Sequence, residues 1–331
     1  MNSFIKKAFP VPRALIMADV SVDTNDGELR FFEFSRKAGT LRPKRCGVLE
    51  FPRTHGPGSE ENAAQAAAAL KKFAERYGYQ TVQCVIHEGD AYIFKQKVPT
   101  TDPSLLRAAI EASLEENVPM PPAEAIFEYD VLAIDKVRGE STVVVSAVSE
   151  KVVERYRALL ESGTLAPVSF ETESHAIARA SIRKGDQATH AVLCIKGHHT
   201  VVFIAERGKV SFSSSIEVGS ADIEAASAKD PGSFDALLPV FSTLQDELGK
   251  ILTYHKAAAK KEGVEQDIAD VILLGSCARI PGFSRYISLA SKLPVRVGSV
   301  WANALSPESE VPDLDEKSSL DYAALIGMYL N

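Results

Sequence analysis

Val271-Ile-Leu-Leu-Gly-Ser-Cys-Ala-Arg-Ile-Pro-Gly-Phe283 carries a short apolar strand through a glycine turn into a helix. Val271 to Leu274 contain no polar residue, which is the pattern of a strand covered on both faces, as in a parallel sheet. Gly275 follows at the strand's end, where the missing Cβ lets the backbone approach a ligand that a side chain would block. Pro281 and Gly282 open the next helix, Phe283 to Leu293, and Pro294 to Val297 reads as a strand. The chain closes on an apolar helix from Tyr322 to Leu330. Taken alone, the glycine turn also fits a plain strand-to-helix connection, so the fold depends on what precedes it.

Working back to the amino end, Ala14 to Ala18 and Glu28 to Phe34 are predicted strands, joined by Val22 to Gly27 with its Asn-Asp-Gly turn signal. Alanine-rich Glu60 to Tyr77 places Leu70, Phe73 and Tyr77 at helical spacing, and Thr81 to His87 reads as a strand. Ala91 to Val98 alternates like a half-buried strand. Asp102 and Pro103 then supply an N-cap and first-turn pair for a helix through Glu116, which Pro119, Pro121 and Pro122 stop. Ile126 to Ile134 and Ser141 to Val148 complete a compact β-α-β-β insert. Lys151 to Ser162 is a helix and Pro167 to Phe170 a strand. A second unit begins near His190: Ala191 to Ile195, Thr200 to Ala205 and Lys209 to Ile216 form a meander with turns at Gly197 and Gly208. A long helical stretch, Ser233 to Glu262 with an interruption at Pro239, leads to the glycine turn. Two β-rich units, each followed by helices, predict a duplicated α/β fold whose ligand cleft lies between the halves.

Composition narrows the function. The 331 residues are 45% hydrophobic with a formal charge of −7, enough to bury two ordinary cores. Without a basic face, nucleic acid is not expected as a partner. Arg36, Lys37, Arg42, Lys44 and Arg45 are read as a solvated loop. Cys46, Cys84, Cys194 and Cys277 have no paired spacing and are read as reduced thiols of a cytoplasmic protein. No apolar run approaches the roughly 20 residues of a membrane span, and Met1 to Phe9 has no signal-peptide core. His198 and His199 are not expected to chelate a metal together, because neighbours on a strand or tight turn point apart. No nucleophile elbow, Gly-x-x-x-x-Gly-Lys loop, Cys-x-x-Cys pair or His-Glu-x-x-His motif occurs.

Several segments, in order over nearly the whole chain, resemble the PilM family, the cytoplasmic actin-like proteins of type IV pilus assembly related to FtsA. They are the helix Leu105 to Asn117 running into Val118-Pro119-Met120-Pro121, then Ile126 to Leu132, Ser146 to Glu173, and Val271 to Val297 with Trp301-Ala302-Asn303. The resemblance implies a duplicated actin-like, ribonuclease H-like fold: residues 1–90 as the first part of domain 1, 91–148 as the inserted subdomain, 149–187 as the return to domain 1, and 188–331 as domain 2 with a reduced outer subdomain.

Actin-like nucleotide sites carry an Asp-x-Gly turn in each hairpin, whose amides wrap phosphates and whose carboxylates order magnesium. Here the first reads Asp19-Val20-Ser21, without the glycine. The second reads Ile195-Lys196-Gly197-His198-His199-Thr200, with isoleucine where the family has its acid. The interval from Gly219 to Glu247 is too short for the two helices and loops that close over the base in the family, at ~1.5 Å rise per helical residue. The resemblance thus marks Asp19, Ser21, Lys196, Gly197, Thr200, Glu247, Lys250, Gly275 and Ser276 as remnants of a nucleotide cleft. Lys196 is read as a solvent-facing turn lysine, its alternative being direct contact with a phosphate. The expected function is a non-catalytic adaptor of a pilus or related secretion platform, with other platform proteins around it. It would bind the cytoplasmic tail of a PilN-like inner-membrane protein in a groove between the first domain and the insert, where Tyr92, Phe94, Phe127 and Tyr129 are candidates. It would not insert into the membrane itself. The alternatives are an ATPase of the same fold that still binds ATP, and an FtsA-like membrane-tethered filament protein.

Overall fold

The computed structural model describes residues 20–37, 40–53, 62–262, 267–305 and 314–330. The predicted strand Ala14 to Ala18 and the candidate Asp19 lie outside them. The chain forms two compact units, Met1–Ile86 with Val153–Glu171, and His87–Val152 with Thr172–Asn331.

The first unit is built on a five-stranded sheet of order β3-β2-β1-β4-β8: β1 (Val20–Asp23), β2 (Glu28–Lys37), β3 (Thr40–Glu50), β4 (Thr81–Ile86) and β8 (Ala166–Thr172). β1, β2 and β3 are an antiparallel meander, and β1 pairs in parallel with β4. The expected Val22 to Gly27 turn is therefore shorter, since Val22 and Asp23 still pair with Phe31 and Arg30. Gly27 takes the left-handed φ of 71° that closes it. α1 (Ala63–Tyr77) ends at Gly78, whose left-handed φ of 74° turns its amide back to Ala74. Phe73 and Tyr77 of this helix pack against Phe31 of β2 with tilted rings, at centroid distances of 5.1 and 4.9 Å.

The basic stretch expected to be loop is instead strand, with Arg36 and Lys37 at the end of β2 and Arg42, Lys44 and Arg45 on β3. Its charge has a local use: Glu33 on β2 is buried, and its carboxylate accepts hydrogen bonds from Lys44, from Arg45 at 2.7 Å and from the Tyr79 hydroxyl at 2.8 Å. Burial would raise the Glu33 carboxyl, but these three donors hold it below its ordinary value.

The second unit repeats the sheet. Its order is β11-β10-β9-β12-β13, from β9 (Thr189–Ile195), β10 (Thr200–Glu206), β11 (Lys209–Ile216), β12 (Ile268–Leu274) and β13 (Val295–Val297). Again three antiparallel strands are followed by parallel neighbours, β9 with β12 and β12 with β13. Val271 to Leu274 are fully buried, as their composition requires. α6 (Ser220–Lys229) was not anticipated; it is the one helix between β11 and the Asp235–Leu237 turn that leads into α7 (Leu238–Glu262). Pro239 does not interrupt α7, because it stands in the first turn, where a helix has no use for the missing N–H. α8 (Phe283–Ser291) packs Phe283 on Phe241 of α7 at 4.4 Å. The closing segment is helical only over α9 (Glu316–Ser319), the Leu320–Tyr322 turn and α10 (Ala323–Gly327).

The insert forms a three-stranded antiparallel sheet of order β5-β7-β6, from β5 (Ala91–Val98), β6 (Ala125–Asp135) and β7 (Glu140–Ser149). One face is covered by α2 (Pro103–Glu111) and α3 (Leu114–Asn117), through Leu106, Ile110 and Leu114 against Val98, Phe127, Val143 and Val145. Asp102 caps α2 as expected, accepting from the Ser104 amide at 2.9 Å. The helix predicted through Glu116 breaks at Ala112 and Ser113, where the Ser113 hydroxyl turns back to the Ile110 carbonyl at 2.8 Å. The two remaining helices are α4 (Glu150–Ser162), whose Tyr156 bonds Asn25 at 2.9 Å, and α5 (Glu173–Ser181).

Candidate functional site: a buried carboxylate under the second turn

The β9–β10 turn, Lys196-Gly197-His198-His199, sits over the N-terminus of α5. Glu173, the first residue of that helix, is fully buried. Its carboxylate takes the Lys196 ammonium on Oε1, His199 Nε2 at 3.0 and 3.2 Å, and the Glu88 amide at 2.8 Å. Burial by itself would raise this carboxyl, yet the charges of Lys196 and His199 hold it well below the usual range. A second carboxylate, Glu88, lies beside it, accepting from the Ser174 amide and hydroxyl at 2.8 Å each. No cation faces Glu88 in these bonds, and burial pushes its carboxyl up to about 7, with the Ser213 hydrogen bond opposing and the Glu173 charge adding to the rise.

Lys196 is thus not the solvent-facing turn residue that was expected, because its charge is committed to a buried partner. The rest of the turn is equally engaged. The Ser220 and Ala221 amides, which open α6, donate to the Lys196 and Gly197 carbonyls at 2.7 and 2.9 Å. A helix N-terminus that could receive an anion is here closed by the turn's own oxygens. Gly219 makes that approach possible, since a Cβ there would stand 2.5 Å from the Gly197 carbonyl oxygen. Thr200 Oγ1 donates to the Val218 carbonyl at 2.6 Å.

The remaining candidates are placed as follows. Ser21, on β1, donates its hydroxyl to the Phe32 carbonyl at 3.1 Å. Gly275 has a φ of 88°, and a Cβ would overlap the Ile195 backbone, so its freedom serves the packing of β12 against β9. The Ser276 amide donates to Asp321 at 2.7 Å. Glu247 and Lys250 pair with each other at 2.7 Å on the exposed face of α7. In the insert, Phe127 belongs to the core, Phe94 and Tyr129 pack against it half-buried, and Tyr92 is 36% exposed.

His199 gains what its neighbour His198 cannot supply. His87, Glu173 and His199 bring donor atoms within 4.8 Å of one another, and the two rings lie 4.3 Å apart. As they stand these groups do not fit a metal. Lys196 already neutralises the carboxylate, and His87 Nδ1 accepts from the Gly89 amide at 3.0 Å, which leaves the proton of the neutral ring on Nε2. Nothing in the sequence pattern joined Glu173 to His87 and Glu88, because those two neighbours of one turn lie about 85 residues before the helix start that bears Glu173.

On the other side of the insert, β5 and β11 are edge strands of their two sheets. A cavity of about 610 Å³ is lined by Ile93 to Lys97 of β5, Glu206, Ser211 and Phe212, and Tyr254, His255, Ala257 and Ala258 of α7. Lys95 reaches Glu206 there at 3.3 Å.

No family model matches the chain, and no curated protein is similar to it in sequence. Among solved structures it is similar to a PilM-PilN type IV pilus biogenesis complex, with a TM-score of 0.73, 18% identity, and coverage of 96% of this chain and 98% of that one. Ethanolamine utilization protein EutJ from Carboxydothermus hydrogenoformans follows at a TM-score of 0.48, 14% identity and coverage of 96% and 90%. The cytoplasmic domain of EpsL, an inner-membrane component of the type II secretion system of Vibrio cholerae, stands at 0.46, 10% identity and coverage of 94% and 95%. With the repeated strand order, the first of these likenesses shows the duplicated actin-like fold.

Proposed function

We propose that this chain is a docking adaptor of a type IV pilus or related secretion platform, and that it binds the cytoplasmic tail of a PilN-like membrane protein without turning over nucleotide. The observation that carries this reading is the internal commitment of the second turn: Lys196 to Glu173, and the first amides of α6 to the Lys196 and Gly197 carbonyls. Groups that would wrap phosphates are spent on the protein itself. The likeness to a PilM solved with PilN supports the choice of partner. Among the described residues no helix is long and apolar enough to cross a membrane, and recruitment through a partner accords with that.

The insert offers a place for an extended tail. β6 is a terminal strand of its sheet, with Ile126, Val131 and Ile134 exposed along it. Main-chain hydrogen bonds to such an edge supply affinity, and alternate side chains supply specificity. Calorimetric titration with the synthetic tail of the PilN-like protein from the same genome tests the reading. Binding is expected, weakened at least about tenfold by Ile126→Arg. Binding of Mg-ATP with measurable hydrolysis, and none of the tail, would instead favour the ATPase.

A further inference from the structure

We infer that the buried Glu88–Glu173 pair is a proton-operated clamp on two of the chain's crossings between its units, closed while Glu88 carries a proton and loosened when that proton leaves. The chain passes from one unit to the other after Ile86, after Val152 and after Glu171. Glu88 is the second residue past the first of these crossings, and Glu173 the second past the last. Both lie within the second unit, and each accepts a backbone bond from the other's segment. The Glu88 amide donates to Glu173 Oε2 and the Ser174 amide to Glu88 Oε2, at 2.8 Å each. Two stretches of chain 85 residues apart are thereby fixed to each other through carboxyl groups.

Charge counting shows why a proton matters here. Glu88 is 2% exposed and Glu173 fully buried, so water offsets neither charge. His87 and Asp90 stand on the same turn as Glu88, and α5 brings Glu173 and also His175, which bonds Thr172 and Ser146. The β9–β10 turn brings Lys196 and His199, both bonded to Glu173. β11 brings the neutral Ser213 hydroxyl, and Lys95 of β5 is bonded to Glu206. Among the described residues, Lys196 is thus the one permanent cation bonded to either carboxyl. While Glu88 is protonated, Lys196 balances Glu173. Once Glu88 ionises, two buried negative charges stand together, and only His199, itself titratable, adds to Lys196. A serine hydroxyl accepts as well as donates, so Ser174 and Ser213 serve the acid and the carboxylate alike, and what changes is the buried charge. Burial, with the Glu173 charge adding to it, raises the Glu88 carboxyl to about 7, which puts the change in the neutral range. With the clamp open and Glu88 in water, the group would titrate near its ordinary 4.5. The held proton therefore opposes opening below about 7 and ceases to do so above it. The clamp does not depend on the tail reading.

The test is amide hydrogen exchange of the full chain, corrected for the intrinsic dependence of exchange on pH. Protection of the Glu88 and Ser174 amides should fall about tenfold from about pH 6 to about pH 8, the linkage of one proton held at about 7. Both amides should exchange ahead of Val271 to Leu274 in β12, because the opening is local. Glu88→Gln keeps an acceptor for Ser174, and its protection should be the same at both pH values. Infrared spectra of wild type in heavy water give a readout that needs no variant: a buried carboxylic acid band present at about pH 6 should be gone by about pH 8. Protection that does not change with pH, amides that exchange only together with β12, or no acid band at about pH 6 would overturn the proposal. So would a step that survives Glu88→Gln and vanishes in His199→Gln, since the working proton would then sit on His199.

Discussion

Glu88 and Glu173 hold each other's segments across the sequence: the Glu88 amide donates to Glu173 Oε2 at 2.8 Å, and the Ser174 amide returns a bond of 2.8 Å to Glu88 Oε2. Glu173 is further bound by Lys196 and His199, whereas among the described residues the donors to Glu88 are neutral. The two carboxyl pKa values are therefore displaced in opposite directions, Glu88 upward and Glu173 downward.

The Glu88 carboxyl is raised from 4.5 to about 7, so between these values the folded chain holds a proton that the unfolded chain has released. Its contribution to stability is fully present below about 4.5 and is lost as pH rises through 7. Glu173, depressed below 4.5, contributes above that value and loses its contribution as pH falls. Glu88→Gln keeps an acceptor for Ser174 and removes the upper titration. Its stability should gain on wild type by up to about 3 kcal/mol between pH 5 and pH 8. Urea midpoints at both pH values check this, and parallel curves for the two proteins would contradict it.

Lys196→Met leaves buried Glu173 without the stronger of its two charged partners, His199 being the other. Removing one member of a buried pair costs about 3–5 kcal/mol, more than the pair itself contributes. The double variant Lys196→Met with Glu173→Gln should recover most of that loss, since the amide requires no counter-charge. Equilibrium denaturation of the two variants measures the coupling. If Lys196→Met is as stable as wild type, the ion pair is not the anchor of the turn.

How much of this was legible in the sequence differs by element. β9 and β12 were readable because strands covered on both faces are continuously apolar, and the Asp102-Pro103 cap fixed the start of α2. β3 was not, because Arg42, Lys44 and Arg45 look like solvated loop until Glu33 on the neighbouring strand is seen to need them. The Glu173–Lys196 pair was hidden for a related reason: no local period links a helix start to a turn in the next sheet.

Gly275 shows the same gap between reading and cause. Its turn was legible, whereas the close approach of its backbone to Ile195 of β9 was not. Gly275→Ala combines a φ of 88° with a backbone overlap and should cost about 2–4 kcal/mol. Gly139 has a φ of 70° with nothing near its missing Cβ, so Gly139→Ala should cost only about 1 kcal/mol. Thermal melts of both variants separate the close-packing cost from the conformational one, and equal losses would mean that the Ile195 approach relaxes freely.

The insert's aromatic residues divide by what they touch. Phe127 is 5% exposed among Val98, Leu106, Ile110 and Val145, with the Arg107 guanidinium 4.5 Å above its ring. Phe127→Ala should cost about 3–5 kcal/mol, since the cavity left under α2 cannot collapse without moving the sheet. Tyr92 is 36% exposed, and Tyr92→Ala should change stability by less than about 0.5 kcal/mol. The tail titration then assigns the roles. A Tyr92→Ala variant that folds like wild type but binds the PilN-like tail more weakly places Tyr92 at the interface, whereas unchanged affinity removes it from the groove. For Phe127→Ala, any loss of tail affinity should track the loss of folded insert, measured by hydrogen exchange at β7, and a binding defect in a fully protected insert would show a contact that its burial does not explain.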